Sequence, residues 1–134
     1  MKEKIENLLI DLHAKLGDDF LKLDISEYVD KILSHARIIS IMNEDKLEAF
    51  IAFYDNDVKK EIAFVSLLAV NEDSWGKSYG RTLMEAAFGI LRQQGFRYLD
   101  LHYIPENTRS TNTAKSYGFK ITKWNNTLIL RKTL

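Results

Sequence analysis

The sequence predicts a mixed α/β fold, one sheet with helices on both faces. Three observations predict it. Residues 38–42, 47–54 and 61–70 are apolar runs rich in β-branched and aromatic residues, joined by short polar turns, which reads as an antiparallel meander. The third run leads through a glycine-bearing loop into a long amphipathic segment and then a further apolar run, 96–104. That is a βαβ crossover, so its two strands run parallel and side by side. Two amphipathic segments before the meander and one after the crossover supply the remaining helices.

In residues 4–16, Ile5, Leu8, Leu9, Leu12 and Leu16 share one helical face, and Gly17-Asp18-Asp19 end the helix. His13 lies beside that stripe and reads as a boundary residue. Ser26 is the expected N-cap of a second helix, with Glu27 and Asp30 in its first turns. Tyr28, Val29, Ile32 and Leu33 form its apolar face to about Ala36, and His35 sits near the C-terminal end, where a cation is favoured. Residues 43–46 and 55–57 are the turns of the meander.

The stretch 63–94 organises the rest. Residues 63–70 are a charge-free strand and 71–74 a polar loop. Tyr79, Leu83, Ala87, Ile90 and Leu91 then recur with helical spacing until Gly95. In 96–104, Leu99 and Leu101 lie on one face and Asp100 and His102 on the other, and Pro105 ends the strand. Asn107 or Thr108 caps a short helix to about Tyr117, which Gly118 closes. Residues 119–124 and 127–131 form a final hairpin across Asn125-Asn126.

The 134 residues suit one domain, 1–134, and no repeat or linker interrupts them. Hydrophobic residues make up 46% and charged residues 28%, and 19 basic residues balance 19 acidic ones. A neutral chain argues against nucleic acid as a partner. There is no cysteine, hence no disulfide or thiol chemistry. No apolar run reaches membrane-spanning length, and Met1-Lys2-Glu3-Lys4 lacks a following apolar signal core, so the expectation is a cytoplasmic protein without a membrane partner.

The strand–loop–helix junction has a chemical use. The first turn of a helix leaves backbone N–H groups without internal partners, at the positive end of the dipole. Gly76, Lys77, Ser78, Tyr79, Gly80 and Arg81 therefore form a candidate pyrophosphate cradle, in which small residues permit close approach and Lys77 and Arg81 add charge. An ordinary strand-to-helix connection with solubilising charges fits the local chemistry equally well. A Walker A loop is excluded, because its leading glycine falls on Asn71, followed by Glu72 and Asp73. The dinucleotide fingerprint Gly-x-Gly-x-x-Gly is absent.

The stretch resembles the acetyl-CoA-binding motif of the GNAT superfamily of N-acetyltransferases. Leu68-Ala69-Val70 ends the strand and Trp75-Gly76-Lys77-Ser78-Tyr79-Gly80 occupies the loop. Trp75 stands where the motif has Gln or Arg, and Ser78 replaces its first glycine. Downstream, Asn107, Ser110, Ala114, Gly118 and Phe119 take the positions of a second family pattern. The resemblance covers roughly residue 38 to the C-terminus. It implies a GNAT-like sheet, an antiparallel meander plus a parallel βαβ pair, with the family's usual first strand missing. It also implies acetyl-CoA as cosubstrate, an amine acceptor and no metal. The cofactor would be held by Leu68, Ala69, Val70, Trp75, Gly76, Lys77, Ser78, Tyr79, Gly80, Arg81, Asn107 and Ser110.

The resemblance leaves the proton chemistry unassigned. Many members carry a glutamate near Ser66 as base and a tyrosine at Ala114 as acid, and both are absent here. Tyr117, Tyr103 and His102 are the candidate substitutes. The readings left open are transfer to a primary amine of a small molecule or protein, O-acetyl transfer, a non-catalytic acyl-CoA-binding module, and an interaction domain anchored by Trp75 and Trp124. The apolar terminal hairpin, 119–131, is the expected surface of a homodimer.

Overall fold

In the computed structural model, which describes residues 1–17 and 24–134, a single strand is buried over seven consecutive residues, Leu47 to Phe53. Such a strand must be covered on both faces. It is β2 (Lys46–Tyr54), and it lies second in a sheet with β1 (Arg37–Asn43) and β3 (Ile62–Val70) on either side. The remaining strands are β4 (Tyr98–His102), β5 (Lys120–Trp124) and β6 (Thr127–Thr133), in the order β1-β2-β3-β4-β6-β5. All pairs are antiparallel except β3 with β4.

The helices divide between the faces. On one side α1 (Lys2–Leu16) and α2 (Ile25–His35) pack Ile5, Leu9, Val29 and Ile32 against Leu47, Phe50, Ala52 and Ala69. On the other, α3 (Tyr79–Gln94) and α4 (Thr108–Ser116) pack Leu83, Ala87, Leu91 and Ala114 against Ala49, Ile51, Phe53, Val65 and Leu99. Phe50 and Phe53 are both wholly buried, on opposite faces of the same strand. Each contributes about 1.5–3 kcal/mol by leaving water.

The element order is the one the sequence predicts, with α1 rather than a strand at the start. The boundaries bring corrections. The N-cap of α2 is Asp24, whose carboxylate accepts from the Glu27 N–H at 3.0 Å, not Ser26. Leu33 is exposed rather than part of the apolar face. The fourth strand is shorter than 96–104. Phe96 instead turns back on α3, donating its N–H to the Leu91 carbonyl after Gly95, which is left-handed at φ 90°. Gly17 closes α1 through its N–H to the His13 carbonyl, while Asp18 and Asp19 lie outside the described residues. The Asn125-Asn126 turn has positive φ at both positions, 49° and 64°, as a two-residue type I′ hairpin requires.

One irregularity matters for the site. Phe53 pairs with Val65 and Ala52 with Leu67, which leaves Ser66 as an extra residue, a β-bulge. Ala63 and Val65 face α3, whereas after the bulge Leu67 and Ala69 face α1 and α2, and Leu68 and Val70 face α3.

Candidate functional site

The parallel pairing of β3 with β4 covers only Ile62↔Tyr98, Ala63↔Leu99 and Phe64↔Asp100. Beyond Phe64 the strands part, and among the described residues no strand pairs with 65–70 on that side. The direction of the backbone groups follows from the ladder. The Asn71 N–H donates to the Glu48 carbonyl on β2, so Ala69 and Leu67 also present their groups to β2. Leu68 and Val70 present theirs to the split. The Val70 carbonyl confirms the phase, because it accepts the indole N–H of Trp75 at 2.9 Å. The Trp75 indole N–H is thereby engaged in tying down the strand end.

The head of the split is the start of α3. Ser78 is the N-cap and stands at φ 63°, ψ 23°, the left-handed conformation a glycine adopts without strain. The Ser78 carbonyl accepts from both the N–H and the hydroxyl of Thr82 at 3.0 Å. The N–H groups of Tyr79, Gly80 and Arg81 in the first turn have no intrahelical acceptor. The loop before them is fixed from β2. Ser74 Oγ donates to the buried Glu48 carboxylate, Lys77 N–H reaches the Ser74 carbonyl, and Asn71 Oδ1 accepts from Asp73 N–H. Glu48 is the extra residue of a second bulge, opposite Ile41/Met42. The sequence reading missed it, although a glutamate amid an apolar strand was the available signal. The loop acids face basic side chains, Glu72 toward Lys15 at 3.2 Å and Asp73 toward Lys46 at 3.4 Å.

Two contacts bring α4 to this cradle. The Arg109 guanidinium lies 5.7 Å from the Trp75 ring, and the Tyr117 hydroxyl lies 3.0 Å from where a Cβ on Gly80 would sit. Leu68 and Val70 border the same spot. Tyr117 is partly buried, which pushes its phenol up, with the Arg81 guanidinium 5.2 Å from its ring opposing the shift. It is thus a neutral hydroxyl at neutral pH, able to donate. Ala114 is 3% exposed within the core and does not line the split. Asn107 Oδ1 accepts from Ser110 N–H at 3.0 Å, which caps α4. Tyr103 packs partly against the α3-side core, while His102 is exposed and, like Asp100, projects to the opposite face. These two candidates therefore do not meet.

A groove of about 450 Å³ continues from the cradle along α3, lined by Arg81, Glu85, Phe88, Arg92, Tyr117 and Lys132. Three cations against one carboxylate make it electropositive. Among the described residues no group of three or more His, Cys, Asp or Glu side chains is placed to hold a metal ion, and no helix is long and apolar enough to cross a membrane.

The family model described as "Acetyltransferase (GNAT) family" matches residues 5–119. The chain belongs to the GNAT acetyltransferase family. Solved GNAT-type structures share the fold. An acetyltransferase from Streptococcus agalactiae superposes with a TM-score of 0.79 at 18% identity, covering 98% of this chain and 93% of that one. PaiA N-acetyltransferase from Thermoplasma acidophilum, solved in complex with coenzyme A, gives 0.73 at 16% identity over 99% and 90% of the two chains. A GNAT family acetyltransferase from Elizabethkingia anophelis, solved with acetyl-CoA bound, gives 0.68 at 17% identity over 81% and 82%. No curated protein matches the chain.

Proposed function

We propose that this chain, as a single GNAT domain spanning 1–134, transfers an acetyl group from acetyl-CoA to a primary amine. The observation that carries the reading is the split between β3 and β4 beyond Phe64 and Asp100, with the start of α3 at its head. A pantetheine arm entering the split would pair its amides with the free backbone edge at Leu68, in the manner of an added strand. The pyrophosphate would meet the N–H groups of Tyr79, Gly80 and Arg81, with Lys77 and Arg81 supplying charge. The basic groove suits the phosphorylated adenosine end. Trp75 and Asn107 act by holding the strand end and the α4 N-terminus in place.

The amine nitrogen attacks the thioester carbon, the C–S bond breaks, the nitrogen releases one proton to solvent, and the thiolate takes one. Tyr117, whose hydroxyl reaches the Gly80 position at the head of the split, is assigned as that donor. The reading also holds the protein to be cytoplasmic. It places a homodimer on the terminal hairpin, where Ile121, Trp124 and Leu128 are 39%, 46% and 50% exposed.

The test is calorimetric titration with coenzyme A, followed by thiol release from acetyl-CoA in the presence of primary amines. Submicromolar to micromolar binding with amine-dependent thiol release is expected. Binding without release for any amine or alcohol would leave an acyl-CoA-binding module, release with alcohols alone an O-acetyltransferase. Absence of binding would overturn the reading.

A further inference from the structure

The two edges of the sheet differ. Its outermost strands are β1 and β5. β5 carries Lys120 and Lys123 around Ile121, the kind of charge that keeps an open edge from pairing with another chain. β1 has no such guard. Residues 38–42, Ile-Ile-Ser-Ile-Met, hold no charge and no proline, and among the described residues no strand pairs with their outer side. Ile38, Ile39, Ser40 and Ile41 are half-buried, whereas their partners on β2 are closed off. The free groups follow from the ladder. Phe50 and Ala52 present theirs to β3, so Ala49, Ile51 and Phe53 turn toward β1 and bond Ile41, Ile39 and Arg37. Ile38, Ser40 and Met42 therefore present their N–H and carbonyl groups outward.

We propose that β1 is the docking edge for a second copy of this chain, joined antiparallel about a two-fold axis at Ser40. The register is self-complementary. Such an axis sets Ser40 against Ser40, Ile39 against Ile41, Ile38 against Met42 and Arg37 against Asn43. The outward-facing residues oppose one another, so each free N–H meets a free carbonyl. An axis at Ile39 or Ile41 would instead oppose residues whose groups β2 already uses. Apolar side chains meet apolar ones, and no charge meets its like. At each end of the pairing the exposed Arg37 comes beside the partner's Glu44, which is exposed in the turn between β1 and β2 and opposite in sign.

The helix layer fits the same partner. α2 lies against β1, and α1 against β2 and β3. On α2, Tyr28 reaches Ser66 on β3 and Lys31 the Tyr54 ring on β2, so that flank faces the interior of the sheet. Leu33, on the opposite flank, is 42% exposed and looks out beyond β1. A two-fold normal to the sheet keeps the same face up in both copies. The two α2 helices then run side by side, with Leu33 turned toward the partner's α2. The contact lies at the other end of the sheet from the terminal hairpin, whose face is a separate surface. It does not depend on the acetyl-transfer reading.

The experiment uses Leu128→Lys, which charges the exposed face of the hairpin and so isolates the β1 contact. Sedimentation velocity and light scattering should give a dimer at micromolar concentration. Amide exchange read by NMR should show Ile38, Ser40 and Met42 gaining protection as concentration rises, while β2 protects Ile39 and Ile41 throughout. Into this background go two changes. Ser40→Pro removes the N–H at the axis, which the protomer's own sheet does not use, and Met42→Lys guards the edge as lysine does on β5. The two-fold counts each change twice, so Ser40→Pro should weaken the dimer about a hundredfold, from about tenfold per lost hydrogen bond. Met42→Lys should weaken it by a similar factor while the dilute protein keeps its thermal midpoint, and it decides the matter if the proline variant does not fold. A monomer at every concentration, its edge then open to some other chain, would overturn the proposal. So would a dimer indifferent to Met42→Lys, or one whose Ile38, Ser40 and Met42 amides exchange as fast as in the dilute protein.

Discussion

The Tyr117 hydroxyl fills the space that a side chain on Gly80 would need, 3.0 Å from the position of its Cβ. The residue expected to be small for the sake of a phosphate is therefore also small for the sake of a phenol. Gly80→Ala should push that hydroxyl aside by a few tenths of an ångström. We expect a drop in kcat of about tenfold or more, in line with a misplaced general acid. Coenzyme A affinity should change less, because the first-turn N–H groups stay where they are. Helix propensity offsets part of the steric cost, by up to about 1 kcal/mol. Steady-state kinetics beside calorimetry separates the two effects. Tyr117→Phe should show a kcat loss of similar size with intact binding.

Ser78 holds a left-handed backbone at the N-cap of α3 without a side-chain capping bond to offset it. Ser78→Gly should relieve about 1 kcal/mol of strain, reduced by the greater freedom glycine has when unfolded. Thermal unfolding should shift upward by a few degrees. Ser78→Val, β-branched at the same φ, should lower the midpoint and loosen coenzyme A binding.

Asp100 and Arg131 are buried together, 6% and 9% exposed, with the guanidinium between the rings of Tyr98 and Trp124 at 4.4 and 4.6 Å. Removing one partner strands the other charge. Asp100→Ala should cost about 3 kcal/mol in denaturant unfolding. Asp100→Leu combined with Arg131→Met should recover most of that loss, since burial of such a pair is offset by its desolvation.

Tyr28 gives a pH signature. Its folded pKa is raised to about 12 from 10.0, mainly by burial, with a smaller opposing contribution from Ser66. A group that holds its proton more tightly when folded stabilises the protein fully below its unfolded pKa and loses that contribution as pH rises through the folded one. Stability should therefore fall between about pH 10 and 12. In Tyr28→Phe the curve should start lower and be flatter over that window, which denaturant titrations at several pH values would read.

The sequence carried the elements because each has a local cause. The periodicity of α1 and α3, the Asn125-Asn126 turn and Gly95 all declare themselves within a few residues. The strand–loop–helix junction of the candidate cradle was legible for the same reason, since 68–81 is contiguous. What escaped was set by pairing. Ser66 and Glu48 are bulges only relative to β2 and β1, and Tyr117 approaches Gly80 only after α4 has folded across α3. The capping of α2 by Asp24 was hidden by the preference of serine for the same role two residues later.

The extra residue at Ser66 works as a change of parity. Up to Val65 the odd positions of β3 look toward α3, and from Leu67 onward the odd positions look away from it. Drawing that one residue into regular pairing with β2 would leave every side chain in the strand intact, yet trade Leu67 and Ala69 for Leu68 and Val70 between the two cores. It would also carry the backbone edge of Leu68 round to β2. A frame of one residue thus decides at once which core each side chain enters and whether the split has an edge for anything to bind.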